Sequence, residues 1–186
     1  ISVDRFEAPD PIGAELAGLL GMFAEAWAER IVATDPSAVG FTVMGNTALA
    51  SLMVARAIKE HDPEIAVVFG GPGCHRHGNE EVYLRSGWVD AVVPGEAEHS
   101  LGAVLRRLME GGPDDPPAPG MMMLREGEVV FEPPLADIRP LERIPWPDYD
   151  DFELDRYAHR RRELTTLLSR GCVARCDFCA DHPLWG

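Results

Sequence analysis

The sequence predicts an α/β fold built on a doubly wound parallel sheet, and three observations carry that expectation. Short β-branched segments alternate with helical stretches, these segments lack the polar–apolar alternation of a half-exposed strand, and each of three of them ends in small or turn-forming residues. The first helix is expected over 11–34, where Leu16, Leu19, Leu20, Phe23, Trp27 and Ile31 recur at spacings of three and four and define one apolar face. A turn at "DPS" leads into a short buried strand over 38–44. Asn46 or Thr47 is placed to cap the next helix, "TALASLMVARAIKE", which runs to Glu60 before the stop signal "HDPE".

A second strand is expected over 65–69 ("IAVVF"), apolar throughout, ending in the glycine-rich turn "GGPGCHRHG". A helix over 80–86, a third strand over 89–93 and a helix over 98–110 complete the alternation, and right-handed crossovers then make the sheet parallel. Such a sheet takes its ligand outside the carboxyl ends of its strands. Those ends read "MGNT", "GGPG" and "PGEAE", and glycine there lets backbone approach a ligand closely. Ordinary strand-to-helix loops are the competing reading.

After Gly111 the texture changes. "GGPDDPPAPG" cannot continue a helix and reads as a linker, "MMMLREGEVVFEPP" as a small hairpin turning at Glu126 and Gly127, and the proline-rich stretch beyond it as a surface wrap. One more strand is expected over 164–168, directly before the cysteines. The expected organisation is an α/β domain over 1–112, a linker with a hairpin over 113–162, and the start of a further domain over 163–186. The opening "ISVDRFEAPDPIG" has neither an initiator Met nor the basic and apolar regions of a signal peptide, so a cut end and no export are expected.

Seventeen basic against thirty-one acidic residues give a formal charge of −14, which repels phosphate backbones and argues against a nucleic-acid partner. The basic run "RYAHRRR" (156–162) reads as a solvated helix face. No apolar run reaches the roughly 18 residues of a membrane span. The acidic "WPDYDDF" (146–152) reads as a structural connector.

Three of the four cysteines, Cys172, Cys176 and Cys179, form C-x3-C-x2-C in one short loop, too crowded to pair as disulfides without strain. A reduced, intracellular metal site is the default, which places the protein in the cytoplasm. A zinc site would need a fourth ligand, and His182 is the candidate for a Cys3His set. Three thiolates suit a four-iron cluster better, since they hold three irons and leave the fourth open to an exogenous ligand. Phe178, between the second and third cysteines, is placed to shield such a cluster or pack on a bound ring. Cys74, His75 and His77 read as packing or loop residues.

"CVARCDFC" resembles the C-x3-C-x2-aromatic-C motif of the radical S-adenosylmethionine (radical SAM) enzymes. The chain before it is similar to the Rossmann-like cobalamin-binding domain that precedes the (β/α) barrel of B12-dependent radical SAM proteins, through "VGFTVMGNT", "VVFGGPG" and "VDAVVPGEAE". The resemblance implies a [4Fe-4S] cluster on Cys172, Cys176 and Cys179 that chelates S-adenosylmethionine. It also implies cobalamin on the sheet edge, touched by Thr42, Met44, Asn46, Thr47, Gly70, Gly71, Pro72, Gly73, Gly95 and Glu96. The implied reaction is methyl transfer from methylcobalamin to an unactivated carbon of a small-molecule or peptide substrate by way of a 5′-deoxyadenosyl radical. An electron donor such as flavodoxin or ferredoxin would serve it. Radical cyclisation or rearrangement without methyl transfer, and a cobalamin-binding module alone, are the alternatives, because the barrel is incomplete here. RNA methylthiotransferases are disfavoured by the shortage of further cysteines. Two departures stand out: "GCHRHG" has Gly where a D-x-H-x-x-G motif has Asp, so His75 is not assigned to cobalt, and Ala97 stands where the family tends to have Gly.

Overall fold

The computed structural model describes residues 11–74, 78–112, 114–134, 142, 144–151, 153, 169–174, 176 and 179. The expected strand over 164–168, the basic run at 156–162, and Phe178, His75, His77 and His182 lie outside these residues.

The order of elements is α1 (Pro11–Val32), β1 (Ala38–Thr42), α2 (Ala48–His61), β2 (Ala66–Gly70), α3 (Glu80–Arg85), β3 (Ala91–Val93), α4 (Leu101–Glu110), β4 (Met122–Arg125) and β5 (Glu128–Phe131). They build a five-stranded sheet in the order β1-β2-β3-β4-β5. The first three strands are parallel, with Val39 opposite Val67 and Phe69 opposite Val92. The expected α/β, Rossmann-like class therefore holds, but two features of the expectation do not.

The sheet is mixed rather than wholly parallel. The hairpin assigned to the linker joins the domain instead, with β4 antiparallel to β3 at Val92–Met122 and β5 antiparallel to β4. The reason is burial: Met121 and Met122 are too apolar for an exposed linker, and they fill the flank of β3 that no further parallel strand covers. The turn lies at Glu126 and Gly127, both at positive φ (52° and 83°), as a two-residue hairpin twisted to match its strands requires.

Both faces of β2 are covered, and its side chains alternate between two cores. Val67 and Phe69 enter one core with Ala24 and Ala28 of α1, Val54, Ala55 and Ile58 of α2, and Tyr83 and Leu84 of α3. Val68 enters the other with Ala91, Val93 and Val104 of α4. Strands that step in one direction with right-handed crossovers place their helices on one face, which is why α2 and α3 lie together. Only α4, which leads to an antiparallel strand, crosses to the other face. Phe69 sits at the centre, its ring 5.2 Å from that of Phe41 and 5.3 Å, edge-on, from that of Tyr83.

The face that α1 buries overlaps the expected one only in part: Ile31 packs against the core and Leu20 is half-buried. Ala24 and Ala28 are buried, whereas Leu16, Leu19, Phe23 and Trp27 are 56%, 52%, 47% and 42% exposed. Small residues let α1 approach α2 closely, and the large apolar residues are displaced to its flanks. At about 1.5 Å per residue against about 3.3 Å, this 22-residue helix far outreaches the five-residue β1. Among the described residues no helix is long and apolar enough to cross a membrane.

Phe69 is fully buried and touches both ring neighbours, so Phe69→Ala is expected to cost about 3–5 kcal/mol, read as a lowered urea midpoint. A loss below about 1 kcal/mol would show that the two cores do not depend on β2.

Candidate functional site at the carboxyl edge of the sheet

The three parallel strands end on one side, and their loops meet there. Beyond β1, Val43 donates its N–H to the Gly70 carbonyl at 2.7 Å and accepts from the Gly73 N–H at 2.8 Å, while the Cys74 N–H closes on the Gly71 carbonyl at 2.9 Å. The β1 and β2 loops are thus laced together by backbone. A Cβ on Gly71 would lie 3.0 Å from Thr42 Cγ2 and 3.1 Å from the Val43 carbonyl oxygen, and one on Gly73 would lie 3.0 Å from that same oxygen. Gly71 also has a φ of 89°. These two glycines are required by loop-on-loop packing, a need the sequence reading had attributed to a ligand.

What the laced loops leave open is a ledge of mostly uncharged groups, with the Glu96 carboxylate at its border. Thr42, Met44, Gly45, Asn46 and Pro72 are exposed, and Thr47, Gly70, Gly71, Gly73, Gly95 and Glu96 are half-buried. Met44, 49% exposed, is the large apolar side chain on it. The Thr47 hydroxyl does not cap α2; its oxygen accepts the Met44 N–H at 2.9 Å and closes the β1 loop upon itself. Groups of this kind offer a ligand backbone and van der Waals contact rather than charge. Cys74 is not part of the ledge. Burial, and secondarily the charge of Glu80, push its thiol up to about 12, and it packs in the core beside Val43 and Tyr83.

The β3 loop holds the feature that the sequence reading missed. Arg170, from the segment just before the cysteines, donates from Nη1 to Glu96 Oε1 at 2.9 Å and from Nη2 to Glu98 Oε1. The side chains are only 16%, 19% and 31% exposed. The bond to Glu98, before all else, raises the Arg170 guanidinium further, so it stays charged. Burial alone would raise Glu98, but the Arg170 bond and backbone N–H groups outweigh it and hold that carboxyl below its usual value. The signal was present as an acidic pair in "PGEAE" and an arginine in "LLSRGC", but nothing local links positions more than seventy residues apart.

Beyond Arg170, Gly171 turns at a φ of 83° and the chain enters the cysteine loop. All four cysteines are free, Cys172 and Cys176 are exposed, and Cys179 is half-buried with its N–H on the Cys176 carbonyl at 3.0 Å. Thiolates are the donor type that iron–sulfur clusters and structural zinc both take. Among the described residues no three His, Cys, Asp or Glu side chains are gathered as a metal site. The Arg170 contacts set the root of the loop beside the loop that follows β3. A separate concavity between α1 and α2, lined by Gly21, Leu49, Met53, Arg56 and Trp88, lies on the helical face rather than on this ledge.

Comparison with known proteins places this edge in context. The family model described as the B12 binding domain matches residues 13–105, half of the chain. A protein of Pyrococcus horikoshii named as an uncharacterized methyltransferase is 30% identical over 154 residues, 82% of this chain and 33% of its own length. The cobalamin-dependent radical SAM methyltransferase TokK of Streptomyces tokunonensis is 29% identical over 69% of this chain and 19% of its own. A 2-(S-pantetheinyl)-carbapenam-3-carboxylate methyltransferase of Streptantibioticus cattleyicolor is 31% identical over 78% and 22%. The chain thus spans a fifth to a third of the length of the curated relatives it matches.

Two outcomes are expected from this geometry. Gly71→Ala, forced to hold a positive φ against Thr42 and Val43, should destabilise the domain by about 1–3 kcal/mol in a urea melt; a neutral result would mean that the loops are not laced. In the native, iron-free protein near pH 8, iodoacetamide should label Cys172 and Cys176 and leave Cys74 untouched, as read by peptide mass mapping. Early labelling of Cys74 would contradict its burial.

Proposed function

Because the chain belongs to the B12-binding-domain family, we propose that it carries cobalamin on the carboxyl edge of the β1–β2–β3 sheet, in a B12-dependent radical SAM methyltransferase acting on a small-molecule or peptide substrate. What carries this reading is one juxtaposition: the mostly uncharged ledge and the root of the C-x3-C-x2-C loop share a single edge, joined through Arg170. The methyltransferase names of the similar proteins support the reaction class, and the name of one of them supports its radical SAM character.

The residues have distinct tasks. Thr42, Met44, Asn46 and Pro72 offer exposed side chains to a macrocycle, while Thr47, Gly70, Gly71, Gly73 and Gly95 shape the ledge through backbone. Cys172, Cys176 and Cys179 would hold the iron–sulfur cluster, with Phe178 beside it. When bound, the cluster with S-adenosylmethionine would supply one-electron chemistry at carbon, and the corrin a transferable methyl group. Four free cysteines fit a reducing, cytoplasmic setting, in which a flavodoxin or ferredoxin would deliver the electron.

Hydroxocobalamin added to the protein should perturb the corrin absorption bands with a Kd at or below about 10 μM. Absence of binding in that range sinks the cobalamin assignment. Anaerobic reconstitution of the full-length protein with iron and sulfide should give a four-iron EPR signal that changes with S-adenosylmethionine and is lost in Cys176→Ala. A signal that survives the substitution removes the cluster assignment while leaving cobalamin binding to be judged by its own titration.

A further inference from the structure

We propose that Arg170, gripped by Glu96 and Glu98, is a positioning residue that fixes the cysteine loop against the corrin-binding ledge, and that Glu96 serves this grip rather than contacting the corrin. The proposal deepens the functional reading above and rests on it for the identity of the two cofactors.

The geometry is specific. Glu96 and Glu98 lie on one short loop after β3, and both carboxylates turn toward one guanidinium that comes from a segment more than seventy residues later. Two carboxylates converging on one point repel each other unless a cation lies between them, and a guanidinium can donate to both at once from its two terminal nitrogens. None of the three side chains is more than about a third exposed, so the attraction is less screened than at an open surface. Breaking it would leave charge partly buried without its partner, a costlier outcome than losing a surface pair.

Position gives the contact its consequence. Arg170 is separated from Cys172 only by Gly171, and Glu96 follows Gly95 on the ledge, so the triad joins the two candidate cofactor sites. Neither loop is held in place by regular secondary structure. The β3 loop runs from Pro94 to Ser100 between β3 and α4, and residues 169–174 form neither helix nor strand. The ion triad supplies a fixed point that the backbone does not, and orientation of reacting groups is lost when such points loosen. With the Glu96 carboxylate engaged 2.9 Å from Arg170, the ledge is left to backbone and neutral side chains, which agrees with its composition.

The test uses the bond after Arg170, which trypsin can cut only when that side chain is released. In the full-length protein, trypsin should cut slowly after Arg170, and at least about tenfold faster in Glu98→Gln and in the double variant with Glu96→Gln, at an unchanged far-UV spectrum. Equal rates in wild type and the double variant overturn the proposal. A hydroxocobalamin titration of Glu96→Gln separates the two roles of that residue: lost corrin affinity with cleavage unchanged overturns the assignment to the grip. In protein loaded with reduced cluster and Co(II) cobalamin, the electron–electron distance distribution should broaden in Glu98→Gln; an unaltered distribution also overturns it. The cleavage comparison needs no cofactor, so failure of the wild type to bind hydroxocobalamin would remove the functional reading and leave the grip to stand or fall by itself.

Discussion

The structure depends on the parallel ladder β1–β2–β3 being covered on both faces. A parallel strand exposes no tolerable face to water, so β2 must send Val67 and Phe69 into one core and Val68 into another. Helices α1, α2 and α3 supply the first core and α4 the second. Once that is satisfied, all three strands end on one side, and the loops that follow them are brought to that edge. The antiparallel hairpin follows from the same demand, because the outer flank of β3 needs a partner and Met121 and Met122 bury well there.

The edge is shaped by competition between packing and binding. Gly71 and Gly73 are consumed by the closeness of the β1 and β2 loops, and Thr47 by the closure of its own loop. What remains for a ligand is the surface these constraints create: exposed Thr42, Met44, Asn46 and Pro72 over a rigid backbone floor. Charge on the edge is instead spent within the protein, on the Arg170 triad.

Much of this was legible in sequence, and the rest was not for definite reasons. The strands over 38–44, 65–69 and 89–93, the helices between them, and the hairpin at Glu126 and Gly127 were all read from local pattern, because β-branched runs and turn residues report their own conformation. The apolar face of α1 was legible at Leu20 and Ile31 and misread at Leu16, Leu19, Phe23 and Trp27, because periodicity counts bulk whereas contact with α2 selected the small residues Ala24 and Ala28. The hairpin was read correctly as a hairpin and wrongly as linker, since its partner strand lies thirty residues upstream.

Element types, the three glycine-bearing strand ends, and the cysteine motif with its resemblance, and so the family in which to look, can all be read from the chain without coordinates. These are properties of short segments or of connection rules, and neither needs distant contacts. Only the tertiary structure decided that Gly71 and Gly73 answer to Val43, that Cys74 is core, and that Arg170 reaches back to Glu96 and Glu98. Each of these is a pairing between residues remote in sequence or in different loops, set by how the sheet stacks its edges, and no local pattern encodes it.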